Sequence, residues 1–221
     1  MKTAQRILLT ALALFNRHGE NTVTSVDIAL ELDISPGNLY YHFKGKESMV
    51  VALMQMHEEH MQRVLVSDKL EALHAEDIMY YLYLLIDSLH VFRFFYRSPA
   101  DLAEKYPAII KKRKAILSKL NSQLSMLIGQ LHAKKLLEGT DADKTLLVDL
   151  ISLILTQSCQ FDELNSHMDE TAQRYHALSL MMVSLLPRLR VSNKELDAIK
   201  VALNTHTFAN KAQATPAFTL E

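Results

Sequence analysis

Turn-forming residues are rare in this chain, and their rarity constrains its fold more than any other feature. The 221 residues include only five glycines and five prolines, where average usage would supply about 26 of the two together. An arrangement of many short strands needs more turns than so few of these residues can form. The sequence therefore favours long helices.

The composition narrows the class of protein further. Hydrophobic residues make up 49% and charged residues 22% of the chain, which excludes a disordered or collagen-like chain. The formal net charge of −1 gives no general signal for binding polyanions. The single cysteine, Cys159, cannot form an internal disulfide, so we expect a protein of the reducing cytoplasm.

No segment has the length of a membrane span. Charge-free apolar runs such as 78–86 and 150–161 are shorter than the ~18 residues that cross a bilayer. The run from Ile7 to Phe15 follows two basic residues, as in a signal peptide. Its apolar residues recur at helical spacing, however, and Gly19 follows as a helix stop, so we interpret it as a first core helix.

Apolar spacing and capping residues divide the chain into a series of helices. The predicted helices span about 3–18, 24–32, 35–43, 46–66, 77–97, 107–139, 140–164, 169–186 and 192–203. We expect an all-α protein with an N-terminal three-helix domain over 1–47 and a larger helical domain over 48–204. Residues 205–221 are polar and Ala-rich, so we expect a flexible, poorly ordered tail.

The segment from Val23 to Lys46 has the pattern of a helix-turn-helix, because two short helices are separated by a three-residue turn. Its packing positions are apolar: Ile28, Ala29, Leu32, Ile34, Leu39 and Phe43. A merely solvated helix face would carry Glu and Lys. The outer face of the second helix instead carries Pro36, Gly37, Asn38, Tyr40, Tyr41 and His42. This pattern predicts a contact surface.

The run Leu-Tyr-Tyr-His-Phe-Lys-Gly-Lys-Glu over 39–47 is the most specific part of a segment that resembles the N-terminal domain of the TetR family. The resemblance covers residues 3 to about 55. It implies a homodimeric, all-helical repressor whose helix-turn-helix reads double-stranded operator DNA and whose larger domain binds a small inducer. Residues 92–97, Phe-Arg-Phe-Phe-Tyr-Arg, resemble the subgroup that contains the regulator of polyhydroxyalkanoate gene clusters.

A recognition helix places short side chains at its N-terminus against base edges, while flanking donors grip phosphates. Asn38 can pair with adenine N6 and N7, a contact worth about 1–3 kcal/mol of discrimination. The resemblance implies phosphate contacts for Tyr40 and His42 and a thymine-methyl or sugar contact for Tyr41. Lys46 begins a helix, where its charge suits a phosphate. The predicted DNA-binding residues are Thr24, Ser25, Pro36, Gly37, Asn38, Tyr40, Tyr41, His42, Lys44 and Lys46.

An alternative interpretation makes Tyr40 and Tyr41 half-buried packing residues and His42 an ordinary surface histidine. Residues 1–47 also carry five basic and five acidic side chains, so this segment is formally neutral. We therefore expect modest phosphate contact per subunit, affinity gained by dimerisation, and binding that weakens with salt.

Three polar residues form a stripe on the central helix of the larger domain. Tyr83, Asp87 and His90 are spaced by four and three residues. Buried polar groups need partners, so the stripe either hydrogen-bonds internally or lines a cavity. Met126 suits an adaptable pocket, and we take these four residues as effector-binding candidates for an apolar or amphipathic small molecule. The subgroup resemblance alone suggests acyl-thioester or fatty-acid chemistry.

Two helices of the larger domain carry more apolar residues than one inward stripe needs. Helices of this kind would form an intersubunit four-helix bundle, as in the family; the alternative is that both are internal. The predicted interface residues are Leu147, Leu150, Ile151, Ile154, Leu178, Met181, Met182 and Leu185.

Catalytic and metal motifs are missing from the sequence. His57 and His60 are three residues apart, whereas a zincin motif needs histidines four apart. There is no Gly-x-Ser-x-Gly, phosphate loop or dinucleotide fingerprint, and we interpret the basic run 111–114 as a solvated face. We expect no enzyme activity, metal or cofactor. The leading hypothesis is a ligand-responsive repressor; the alternative is a helical small-molecule-binding or adaptor protein whose helix-turn-helix no longer reads DNA.

Overall fold

The computed structural model describes residues 2–65, 74–165, 168–206 and 208–209. Within these ranges the chain is helical and forms no strands, which confirms the predicted all-α class. The helices are α1 (Thr3–His18), α2 (Ser25–Glu31), α3 (Pro36–His42), α4 (Lys46–Val64), α5 (Ala75–Val91), α6 (Phe94–Arg97), α7 (Pro99–Lys105), α8 (Ile110–Ala133), α9 (Asp141–Asn165), α10 (Glu170–Leu185) and α11 (Asn193–Asn204). No described helix combines the length and apolarity needed to cross a membrane.

Side-chain caps fix several helix starts where the sequence predicts them. The hydroxyl of Thr24 caps α2, and the carboxylate of Asp27 bonds back to the Thr24 backbone. Ser35, Asp169 and Ser192 cap α3, α10 and α11 in the same way, each accepting a backbone N–H three residues ahead. Such caps satisfy backbone donors that lack a partner within the helix.

The chain packs as two compact units. The first comprises the residues up to His60 together with Phe92–Ile116. In it, the α1 residues Ile7 and Phe15 are fully buried, and the ring of Phe15 lies 5.3 Å from that of Phe94. The unit that contains the helix-turn-helix therefore extends beyond the predicted domain of residues 1–47.

The second unit comprises Met61–Val91 and the chain from Leu117 onward. Its central helix is α5, which is buried on nearly every side and packs against α9, α10 and α11. The sequence predicts one helix over 77–97, but α5 ends at Val91 and α6 begins at Phe94. The backbone N–H of Phe94 donates to the side-chain oxygen of Asn16 rather than continuing the helical ladder.

The predicted poor order of the tail does not extend to Phe208 and Ala209. Phe208 is fully buried, with its ring near those of Tyr80 and Tyr83. The backbone N–H of Ala209 donates to the hydroxyl of Tyr175 at 3.1 Å. One large apolar side chain thus anchors this segment, while residues 207 and 210–221 of the predicted tail lie outside the described residues.

Candidate nucleic-acid interface

Residues 24–43 fold as the predicted helix-turn-helix. Ile28, Ala29 and Leu39 are buried between α2 and α3. In the turn, Asp33 adopts a positive φ of 53° and the N–H of Ile34 donates to the carbonyl of Ala29 at 3.0 Å. These contacts fix the angle at which α3 leaves the turn.

The N-terminal tip of α3 is exposed. Pro36, Gly37 and Asn38 all lie at the surface, and α3 contains no acidic residue. A Cβ at Gly37 would meet only the Ser35 hydroxyl, at an ordinary 3.9 Å. The described part of the protein therefore does not require glycine there, although glycine costs a helix about 1 kcal/mol relative to alanine. Close approach of an external partner is a physical reason for it.

Two aromatic side chains project from α3. Tyr40 is 56% and Tyr41 77% exposed, so Tyr41 is not the half-buried packing residue of the alternative interpretation, whereas Tyr40 keeps nearly half of its surface covered. The Lys44 ammonium lies 4.7 Å from the centre of the Tyr40 ring, and the Tyr41 ring meets His42 edge-on at 5.2 Å. The exposed surface therefore combines aromatic faces with a cation.

Lys46 does not have the free ammonium that the sequence analysis assigned to a phosphate contact. Its Nζ donates to the carbonyl oxygens of Glu20 and Val23, both at 2.8 Å, and lies 2.9 Å from the Glu20 carboxylate. An ammonium has three N–H donors, and these three acceptors use them all. The acceptors lie more than 20 residues away in the chain, so helix position alone could not reveal them.

The start of α2 is only partly available to a ligand. The Thr24 hydroxyl donates to the Asp27 carboxylate at 2.7 Å and accepts the Asp27 backbone N–H. Hydrogen bonds from the Thr24 backbone and side chain lower the pKa of Asp27. Thr24 is exposed and Ser25 half-exposed, so the cap still leaves both residues accessible.

The polar stripe of α5 finds its partners on neighbouring helices of the second unit. Asp87 lies 3.4 Å from Nε of Arg174 on α10. Burial raises the pKa of Asp87 against the opposing effect of Arg174, and burial raises the pKa of Tyr83 to about 12. His90 lies 3.7 Å from Glu170 and 3.8 Å from the sulfur of Cys159. This arrangement favours internal pairing over a cavity lining.

Met126 does not share the burial of this stripe. Its side chain on α8 is 38% exposed, whereas Tyr83 and His90 are buried. The four predicted effector-binding residues therefore do not form one enclosed set.

The structure corrects the predicted dimer interface. Six of the eight residues are buried inside the protomer and present almost no surface to a partner: Leu147, Ile151, Leu178, Met181, Met182 and Leu185. Ile154 is half-buried, and Leu150 alone is exposed. Most of the predicted residues thus belong to the stripe that α9 and α10 direct toward their own core.

A second apolar stripe on the same helices is exposed, and the predicted interface included only Leu150 of its residues. On α9, Leu146, Leu150 and Leu153 follow each other at spacings of four and three, and Leu153 is 58% exposed. On α10, Val183 is 76% exposed and follows Leu180 by three residues. Residues at these spacings share one helix face. Periodicity could have found this stripe but could not tell which of the two stripes faces inward.

The histidine pair on α4 is part of a buried aromatic cluster. Nε2 of His57 shares a hydrogen bond of 2.8 Å with the hydroxyl of Tyr96. Burial, and secondarily the proximity of His60, lower the pKa of His57 to about 3. His57 is therefore neutral at pH 7. Among the described residues, no group of three or more His, Cys, Asp or Glu side chains is arranged to hold a metal ion.

Comparison with solved structures places the fold. A TetR-family transcriptional regulator from Marinobacter aquaeolei VT8 superposes with a TM-score of 0.78 at 24% identity, covering 93% of this chain and 98% of that one. The structure of the SmeT–triclosan complex matches with a TM-score of 0.57 at 17% identity, covering 83% and 91%. These similarities establish a shared fold.

Comparison of sequences identifies the family. The HTH-type transcriptional regulator QacR from Staphylococcus aureus is 37% identical over 62 residues, or 28% of this chain. The match spans about a third of QacR, 33% of its length. A family profile described as "Bacterial regulatory proteins, tetR family" matches residues 7–53, and one described as "TetR: Bacterial transcriptional repressor" matches residues 56–196. With its helix-turn-helix and with both profiles matched, the chain belongs to the tetR family of bacterial regulatory proteins.

Proposed function

We propose that this chain is a ligand-responsive transcriptional repressor that binds double-stranded operator DNA as a homodimer and is released by a small effector. The observation that carries the proposal is the exposed tip of α3. Pro36, Gly37 and Asn38 lie at the surface with no acidic side chain on the helix. A tip of this form fits the major groove, where short side chains read base edges.

We assign some of the exposed residues to contacts with bases and others to contacts with phosphates. Asn38 reads adenine, and Gly37 permits close approach of the backbone. Tyr40, His42 and Lys44 grip phosphates, and Tyr41 packs against a thymine methyl or a sugar. The proposed DNA-binding part remains residues 1–47, with 48–204 as the effector-binding and dimerisation part.

A footprint on the DNA upstream of the protein's own gene tests this proposal. We expect protection of a partly palindromic site whose half-sites lie about one helical turn apart or a multiple of it. Asn38→Ala should shift the footprint to about tenfold higher protein concentration while helical content and dimer size stay unchanged, and Lys119→Ala, at an exposed position of α8, should leave it intact. If no DNA is bound specifically, the adaptor alternative replaces the repressor.

The exposed stripe of α9 and α10 supports dimerisation. Leu146, Leu150 and Leu153 on α9 and Leu180 and Val183 on α10 present apolar surface on two adjacent helices. Two copies of such a pair bury this surface as a four-helix bundle. Dimerisation would compensate for the neutral charge of residues 1–47, because two modest sets of phosphate contacts then act together.

The effector is proposed to be apolar or amphipathic and to act through the second unit. The stripe of Tyr83, Asp87 and His90 stays the proposed site although Asp87 and His90 have internal partners, with Met126 outside it because of its exposure. The subgroup resemblance at 92–97 and the acyl-thioester or fatty-acid chemistry it suggests stay predictions. Triclosan, which a solved structural neighbour binds, is a first probe: binding should raise the melting temperature and weaken operator affinity.

The remaining assignments follow from this function. We propose that the protein acts in the cytoplasm, where operator DNA is found, and that it works without catalytic activity, metal or cofactor. Specific release of DNA by the effector needs only a difference in affinity between two conformations.

A further inference from the structure

A buried carboxylate lies at the turn that follows α1. Glu20 is almost fully buried, and three side chains from other parts of the first unit converge on it. Lys46, at the start of α4, lies 2.9 Å away, and Lys105, at the end of α7, lies 3.0 Å from both carboxylate oxygens. The hydroxyl of Tyr106 also donates to it. Glu20 thus joins three segments that are far apart in the chain.

The same region carries a second pair of polar links one turn earlier in α1. Asn16 is buried, and its side-chain oxygen accepts the backbone N–H of Phe94 at 3.1 Å. Its carbonyl oxygen accepts Nη1 of Arg97 at 2.5 Å. Residues 94–106, which lie outside the helix-turn-helix in sequence, are therefore fastened to the C-terminal end of α1 at both of their ends.

These links bear directly on the recognition helix. Lys46 Nζ also donates to the carbonyls of Glu20 and Val23, and Val23 is the buried residue that precedes the cap of α2. The route from Tyr106 to α2 therefore consists of Glu20, Lys46 and Val23. Since α2 packs against α3, this route connects residues 94–106 to the recognition helix.

We propose that Glu20 is a positioning residue for DNA reading, which holds residues 94–106 and the helix-turn-helix in one arrangement, so that Lys105 and Tyr106 set operator specificity without touching DNA. A buried charge with several partners is weak evidence for stability, because desolvation opposes the gain from pairing. The buried carboxylate does hold its partners in one arrangement, because the loss of any partner leaves an unpaired buried group, which is costly. The inference rests on the proposed function and adds the residues that hold the recognition helix in its DNA-reading position.

The experiment compares specific with non-specific DNA binding in the full-length protein. Fluorescence anisotropy measures the Kd for the footprinted operator and for a scrambled duplex of the same length and composition. The variants are Tyr106→Phe, which removes one hydroxyl without changing charge, and Glu20→Gln. Circular dichroism and gel filtration establish that each variant is folded and has the size of the wild type.

The proposal predicts that both variants lose at least about fivefold in the ratio of specific to non-specific affinity, a typical size for coupling through a network. Binding to the scrambled duplex should persist, because phosphate contacts remain. Glu20→Gln removes a negative charge, so bulk electrostatics alone would tighten DNA binding. That tightening would affect both duplexes alike and leave the ratio unchanged. A purely structural role would lower both affinities by the same folded fraction, which also leaves the ratio unchanged.

The control is Glu58→Gln. Glu58 on α4 pairs with Lys112 at 2.7 Å in the same unit, and its loss should leave the ratio unchanged. If folded Tyr106→Phe and Glu20→Gln both keep the wild-type ratio, Glu20 does not position the reading helix. If the wild-type protein itself fails to prefer the operator, the proposed function is contradicted, and the inference falls with it.

Discussion

The carboxylate of Asp87 on α5 and Nε of Arg174 on α10 lie 3.4 Å apart, and both side chains are more than four-fifths buried. The pair joins the central helix of the second unit to α10. Removing one member of a buried pair leaves the other charge without compensation. The cost of leaving Asp87 charged without Arg174 can therefore be measured as the dependence of the free energy of unfolding on pH.

Arg174→Met should lower the free energy of unfolding by about 3 kcal/mol at neutral pH. Burial already raises the pKa of Asp87, and Arg174 opposes that rise. Without Arg174 the folded-state pKa rises further, so Asp87 stabilises the fold less as the pH increases through that value. The loss should be smaller at about pH 4, where the folded protein can keep Asp87 protonated.

Urea unfolding at both pH values measures this difference. Adding Asp87→Asn to Arg174→Met removes the unpaired charge and should recover part of the lost stability. An equal loss at both pH values would show that Arg174 contributes by packing alone.

The proposed dimer face makes a prediction that separates it from the buried stripe. Val183→Glu places a charge on the exposed stripe of α10 and should convert the dimer to a folded monomer, because an unpaired charge cannot be buried in an apolar interface. Leu178→Ala, inside the protomer, should instead cost about 2–5 kcal/mol of stability. Light scattering coupled to gel filtration reads the first effect and thermal unfolding the second.

Val201→Glu is the matched control, because Val201 is also apolar and exposed but lies on α11. It should leave the oligomeric state unchanged. If Val183→Glu remains dimeric, the two copies associate through another surface.

The anchoring of Phe208 predicts that a residue close to the end of the chain matters for stability. Phe208→Ala should lower the free energy of unfolding by about 3–5 kcal/mol, as expected for emptying a fully buried aromatic site. Val201→Ala, at an exposed position, should stay within about 0.5 kcal/mol of the wild type. Equal effects of the two substitutions in chemical denaturation would contradict the packing of Phe208.

The hydrogen bonds to the Glu20 carboxylate predict that the protein loses stability in acid. Burial raises the pKa of Glu20, but the hydrogen bonds from Tyr106, Lys46 and Lys105 outweigh burial, and the pKa is lowered from 4.5. A lowered pKa contributes stability above the unfolded value, and this contribution is lost as the pH falls through the folded value. The stability gap between the wild type and Glu20→Gln should therefore narrow below about pH 4.5.

Unfolding curves between neutral and acidic pH test this prediction. A gap that stays constant with pH would mean that the ionised form of Glu20 gains nothing from its three partners.

Local signals in the sequence were enough to predict the helix-turn-helix. The hydroxyls of Thr24 and Ser35 act on backbone groups three residues away, so capping could be inferred without knowledge of the fold. The exposure of Asn38 likewise follows from its position at the tip of a helix whose packing residues are apolar.

Features that depend on distant parts of the chain could not be predicted in this way. Lys46 pairs with Glu20 across 26 positions, and the end of α5 at Val91 reflects capture of the Phe94 N–H by Asn16. On α9, Ile151 and Leu153 are both apolar, yet only Ile151 faces the core. When apolar residues surround a helix, its sequence does not fix which side faces inward.

The salt and sequence dependence of DNA binding tests the central claim most directly. Operator affinity is measured by anisotropy at a series of salt concentrations for the wild type, Asn38→Ala and Lys44→Ala. We predict that Asn38→Ala loses about tenfold in discrimination between operator and scrambled DNA with an unchanged salt slope, as expected for a base contact. Lys44→Ala should weaken both duplexes and reduce the salt slope by about one. Wild-type binding that prefers no sequence, or an Asn38→Ala protein that discriminates as well as the wild type, would contradict the account of α3 as the reading helix.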